Sequence, residues 1–155
     1  MVKSQQSHLL VLTCVLILFL PAQAFCQVRA EDITADFESG NITGVTDQGP
    51  NDLYMRIRLD DNHGDLYGWF YFKIKEHALN QTVTFHITNP DGWVNADYKP
   101  VYSYERMVWN RVSNTTFSGG SLIFRHTFNR DSVYIAFCFP YTTTDLDQFL
   151  DSVED

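Results

Sequence analysis

Three observations predict an all-β fold: an antiparallel β-sandwich of jelly-roll-like type with a short C-terminal α-helix, preceded by a signal peptide. Seven or more short strand-like segments, the clearest of them alternating apolar and polar residues at period two, are separated by turns rich in Gly, Pro, Asn and Asp. One nearly unbroken apolar segment, Val133 to Phe139, is dense in aromatic and β-branched side chains and stops at Pro140, which has no N–H to offer a ladder. Only the last stretch changes to helical spacing, with Leu146, Phe149, Leu150 and Val153 forming one stripe.

The chain has 155 residues, enough for one domain of ordinary size. Lys3, the apolar run Leu9 to Leu20 and the small-residue site Ala22-Gln23-Ala24 have the layout of a cleaved secretory leader over residues 1–24. The mature domain is then residues 25–155, expected to be secreted or periplasmic and free of the membrane after cleavage. Loss of Lys3 takes the formal charge from −8 to −9, which argues against nucleic acid as a partner.

From Glu31 to Gly49 the sequence is short and polar, with Gly40-Asn41 marking a turn beside a brief edge strand. Asp52 to Asp60 alternates strictly, placing Leu53, Met55, Ile57 and Leu59 on one face. Asp60, Asp61 and Asp65 bracket a loop that lacks the regular spacing of an EF-hand, so a solvated turn is expected. Tyr67 to Lys75 is apolar on both faces at its start, which predicts cover on both sides. In Gln81 to Asn89, Val83, Phe85 and Ile87 point inward. Linkers this short exclude a helical crossover, so sequential antiparallel pairing is expected.

After the Pro90-Asp91-Gly92 turn, Trp93 to Pro100 shows no period. Val101 to Arg111 reads as one strand, Ser113 to Thr116 as polar connection, Gly119-Gly120 as a turn, and Leu122, Phe124 and Phe128 as a further strand. Val133 to Phe139 reads as a strand covered on both faces, ending at a Pro140-Tyr141 turn. Thr143 or Thr144 is expected to cap the final helix, with Asp145 and Asp147 favoured by the dipole in its first turn. The terminal acids Glu154-Asp155 sit where the dipole disfavours them. This strand, turn and helix are expected to organise the domain, the upstream sheet packing against them.

The chemistry-bearing residues form no catalytic motif. His8, His63, His77, His86 and His126 lack metal-ligand spacing, and neither a nucleophile elbow nor a phosphate-cradling loop is present in the sequence. No cofactor is expected. Cys14 leaves with the leader, and Cys138 is expected to be a buried free thiol rather than bridged to Cys26. Asn41, Asn80 and Asn114 each open a glycosylation triplet beside a turn. The central aromatics include Trp93 and Tyr98, which can stack on a sugar ring, and Trp69, expected in the core.

In order, Phe37-Glu38-Ser39-Gly40-Asn41, Tyr54 to Leu59, Trp69 to Phe72, Phe85 to Asn89, Lys99 to Ser103, Trp109-Asn110-Arg111, Phe128, Ala136 to Thr142 and Thr144-Asp145-Leu146 resemble one known domain. It is the N-terminal domain of the cytosolic-carboxypeptidase branch of the M14 zinc metallocarboxypeptidases. Thr143 departs from the aromatic residue usual there. The resemblance implies a β-sandwich that precedes and packs on a carboxypeptidase domain whose zinc is held by a His-x-x-Glu pair and a later His. No zinc ligand or catalytic Glu of that domain has a counterpart in this chain. The expectation is a non-catalytic accessory domain, fragment or free-standing, whose partner is an M14 catalytic domain in cis or trans. Docking is expected through Pro140, Tyr141, Leu146, Phe149 and Leu150. An exported carbohydrate- or protein-binding module using Trp93 and Tyr98 is the alternative.

Overall fold

The computed structural model of the protein describes residues 27–59 and 68–153. The predicted leader, Cys26, the acidic loop from Asp60 to Asp65 and the terminal Glu154-Asp155 lie outside the described residues. A single 3-10 turn, Ala30–Asp32, leads into β1 (Ile33–Thr34), β2 (Thr43–Gly49), β3 (Asp52–Arg56), β4 (Tyr71–Ile74) and β5 (Thr82–Ile87). There follow β6 (Val101–Ser103), β7 (Asn110–Arg111), β8 (Asn114–Ser118), β9 (Ser121–Thr127), β10 (Val133–Ala136) and α1 (Thr143–Val153).

The strands form two five-stranded sheets, one ordered β1-β4-β10-β6-β7 and the other β2-β3-β5-β9-β8. The alternating strands bury the faces their patterns predict: Leu53, Met55, Val83, Phe85, Ile87, Leu122 and Phe124 from the second sheet join Phe72, Ile74, Val133 and Ile135 from the first, and Phe70 just before β4, in one core. Among these, Phe85 is ringed by Phe124 at 4.9 Å and Phe72 at 5.5 Å between centroids.

The expected sequential antiparallel pairing does not hold. The chain alternates between sheets from β3 to β4 to β5, so β3 and β5 become parallel neighbours, Leu53 opposite Phe85 and Met55 opposite Ile87. A short linker cannot make a helical crossover, but it can carry the chain across the sandwich, and β4 in the opposing sheet serves as that crossing. Each strand thereby faces an apolar partner layer immediately.

Several strand bounds also differ. β3 ends at Arg56 because Asn89 intercepts the next residue: its Oδ1 accepts the Ile57 N–H at 2.7 Å and its Nδ2 donates to the Ile57 carbonyl at 3.0 Å. Leu59, expected inward, is 42% exposed. The single strand read over Val101 to Arg111 is a hairpin, β6 and β7 paired through Val101 with Arg111, its tip turned at Arg106 with φ 63°. The segment read as connection after Ser113 contains β8, joined to β9 through Gly119 and Gly120. Both glycines have positive φ, 58° and 75°, as a two-residue hairpin loop that matches strand twist requires.

The larger correction concerns the end of the chain. β10 is central and covered on both faces as predicted, since Val133, Ile135 and Ala136 are all fully buried. Cover stops there: Cys138 is exposed rather than buried, and no residue of α1 is buried. The helix is an appendage, and the sandwich core closes without it. A period-3.6 apolar stripe reports that a helix has a face to cover, not that its own domain covers it.

Candidate docking face

The face is built where β10 leaves the sheet. Phe137 still bonds to the sheet, its N–H donating to the Phe70 carbonyl at 2.9 Å, and its ring stacks on Tyr98 at 5.3 Å. Beyond it the side chains turn outward: Phe139 is 52% exposed and Tyr141 67%. Arg111 lies over the Phe139 ring at 5.2 Å. Pro140 is half-buried between them.

Thr142, buried at the head of α1, is the cap that the sequence places one or two residues later. Its Oγ1 accepts the Asp145 N–H at 3.2 Å, and its own N–H donates to Asp145 Oδ2 at 2.8 Å, a reciprocal capping box. Glu38 Oε1 accepts the Thr144 N–H at 3.0 Å from across the domain. These backbone and hydroxyl donors hold the Asp145 and Glu38 carboxyls below their ordinary range. Leu146, Phe149, Leu150 and Val153 are 40%, 56%, 45% and 60% exposed along the helix. All five predicted docking residues thus fall on this exit segment.

A helix of 11 residues without buried side chains depends on its caps. Thr142→Ala is expected to weaken α1 by about 1 kcal/mol, read as faster amide exchange over 143–153 with the global denaturation midpoint unmoved. Acid acts in the same direction. The depressed carboxyl values mean that Glu38 and Asp145 stabilise the folded state above their unfolded values, a contribution lost as pH falls through the folded ones. Helical circular dichroism of the wild type should therefore fall in acid before the sandwich melts.

The other residues singled out by sequence lie elsewhere. Trp93 is 50% exposed, packs edge-on against Tyr98 at 5.2 Å and Phe137 at 5.7 Å, and donates its indole N–H to Asp91 at 3.2 Å. Trp69 is half-buried beside Tyr71 on the outer face of the first sheet, at 6.1 Å. His126 packs on Tyr102 at 4.3 Å, and burial lowers its imidazole below the ordinary value. His86 bonds Asp52 at 2.9 Å and stacks on Tyr54 at 3.9 Å. Partial desolvation raises the Cys138 thiol, with Arg111 opposing. Asn41 is engaged at both amide atoms, with the Arg58 N–H and the Trp69 carbonyl, so this triplet's acceptor is occupied by the fold.

One group of metal-competent side chains occurs among the described residues: Asp32, Glu76 and His77. Chain separation hid it, since Asp32 and His77 are 45 residues apart and meet only through the β1–β4 pairing. Asp32 is buried, caps the first turn by accepting the Arg29 N–H at 2.8 Å, and lies 3.3 Å from His77 Nδ1. His77 has φ 73°, held there by Asp131, whose Oδ1 accepts its N–H at 2.8 Å. These bonds give the group a structural role as a clamp on the loop. The Asp32 contact raises the His77 imidazole above its ordinary value, so its stabilisation is complete below the unfolded value and lost as pH rises through the folded one. Urea melts at about pH 5.5 and 8.5 should show wild type losing stability relative to His77→Asn, which tolerates the same backbone region; equal pH dependence would refute the coupling.

The sequence model of the cytosolic carboxypeptidase N-terminal domain matches residues 33–138. An uncharacterized protein of Zymomonas mobilis is 36% identical over 115 residues, covering 71% of this chain and 29% of that protein. Cytosolic carboxypeptidase 3 of Bos taurus is 25% identical over 142 residues, 77% of this chain and 14% of its own length. Among solved structures, a metallo-carboxypeptidase from Burkholderia cenocepacia superposes with a TM-score of 0.69 at 32% identity, covering 79% of this chain and 33% of that one. The chain thus spans a third or less of the length of these relatives. The matched family segment stops at residue 138, immediately before the exposed apolar run and α1.

Proposed function

This chain belongs to the cytosolic carboxypeptidase N-terminal domain family, and on that premise we propose that it is a non-catalytic accessory domain that docks on a zinc carboxypeptidase body. The observation that carries the reading is α1: Leu146, Phe149, Leu150 and Val153 stand at helical spacing, 40–60% exposed, with no buried residue on the helix. An amphipathic helix gains most of its stability from covering its apolar stripe. A stripe left open here, with Phe139 and Tyr141 leading into it, fits a surface whose complement is another body. The family relatives carry two thirds or more of their length beyond the matched segment, which supplies such a body in cis; a separate chain supplies it in trans.

In this reading the domain contributes shape and orientation at the mouth of the peptidase, and the zinc ligands and catalytic base belong to the partner. The leader-like sequence over residues 1–24 supports export, so the docking takes place outside the cytoplasm.

The test is a single polypeptide in which residues 27–153 replace the matched third of the Burkholderia cenocepacia metallo-carboxypeptidase. Calorimetry of this chimera should show the two bodies melting together, and Leu146→Asp with Phe149→Asp should split the transition while leaving the isolated domain's midpoint unchanged. Two independent transitions in the parent chimera would sink the reading. Ligand stacking at Trp93 and Tyr98 is favoured by one observation, the 50% exposure of Trp93, and is tested by tryptophan fluorescence against polysaccharides.

A further inference from the structure

We infer that the β6–β7 hairpin tip is a second anchor of the docking face, with Met107 and Val108 inserting into an apolar surface of the carboxypeptidase body. The inference rests on the docking reading above and extends it to residues far from α1 in sequence. Met107 and Val108 are 84% and 72% exposed, more than any other large apolar side chain among the described residues.

The tip is held in position. Arg106 is in the left-handed region at φ 63°, a conformation disfavoured for its side chain, and the Trp109 indole N–H donates to the Arg106 carbonyl at 3.2 Å. Trp109 also packs edge-on against Tyr71 at 5.9 Å, while Arg111 donates from Nη1 to the Lys99 carbonyl at 3.1 Å. A strained turn that presents two apolar side chains to water gains nothing within its own domain.

A second unfavourable feature lies beside it. Tyr71 is fully buried, and its hydroxyl has no hydrogen-bond partner. Burial raises this phenol above its ordinary value, and Arg106 is near enough to oppose the rise without meeting hydrogen-bond geometry. The exposed apolar tip beside it improves when a partner covers it and excludes water.

The occupant follows from continuity with the docking face. Arg106 lies over the Tyr134 ring of β10 at 5.8 Å, and Arg111 from the same hairpin lies over Phe139 at 5.2 Å. The hairpin therefore borders β10 and the exit segment that leads into α1, and a body seated on that segment is placed to meet the tip as well. The partner chemistry is apolar, because a valine and a methionine offer no hydrogen-bond donor and only a weak thioether acceptor.

The chimera described above tests this directly. Met107→Ser with Val108→Ser should lower the joint transition by roughly 4 °C or more, while the isolated domain carrying the same pair melts like wild type. If the serine pair leaves the joint transition unmoved while Leu146→Asp with Phe149→Asp splits it, the hairpin anchor is refuted and the docking reading survives. If the parent chimera melts as two bodies, both are refuted. A drop in the isolated domain equal to that in the chimera would make the tip a folding element and overturn the anchor.

Discussion

Phe85→Ala is expected to destabilise the sandwich by about 4 kcal/mol, enough to leave a domain of ordinary stability marginally folded. Phe85 is fully buried on the central strand β5, between parallel β3 and antiparallel β9. Its ring meets Phe124 at 4.9 Å, Phe72 at 5.5 Å and Phe128 at 6.4 Å, so truncation removes contacts to both sheets. Rings braced by other rings cannot collapse into the void, and the cavity remains. Urea denaturation followed by near-ultraviolet circular dichroism measures the effect. A loss under about 1.5 kcal/mol would mean that the two layers repack freely.

Gly40→Ala is expected to cost about 3 kcal/mol for a different reason. A Cβ at this position would fall 2.2 Å from the Ala35 carbonyl oxygen and 2.8 Å from its carbon, both backbone atoms with no rotamer to change. The constraint is close approach, not a left-handed φ. The turn has several dependants: Gly40 N–H bonds the Phe37 carbonyl at 2.9 Å, Ser39 accepts the Trp69 indole at 3.0 Å, and Glu38 reaches Thr144 at the head of α1. The substitution should therefore lower global stability and also loosen the helix cap, seen as faster exchange at Thr144. A stable variant with an unchanged cap would show that the turn shifts without penalty.

How far the fold was legible can be judged from particular elements. β5 was readable because Val83, Phe85 and Ile87 alternate with threonines and histidine, and period two is a local property. The Gly119-Gly120 loop was readable because its backbone excludes most other residues. β8 was missed because Asn114, Thr115 and Thr116 on an edge strand carry no apolar face, so their pairing is visible only from β9. The capping residue lies one or two positions before the expected Thr143 or Thr144, since Thr142, Thr143 and Thr144 are chemically alike and only the reach of Asp145 selects among them.

The sequence by itself determined the two-layer β architecture, where along the chain most strands lie and the amphipathic nature of the last helix, because each follows from local period and turn chemistry. The tertiary structure alone decided that β3 and β5 run parallel, that Asp32 meets His77, and that α1 and the Met107–Val108 tip remain uncovered. These are facts about which surfaces meet. An apolar stripe states a requirement for burial, and whether its own domain or another body supplies that burial depends on the path of the whole chain.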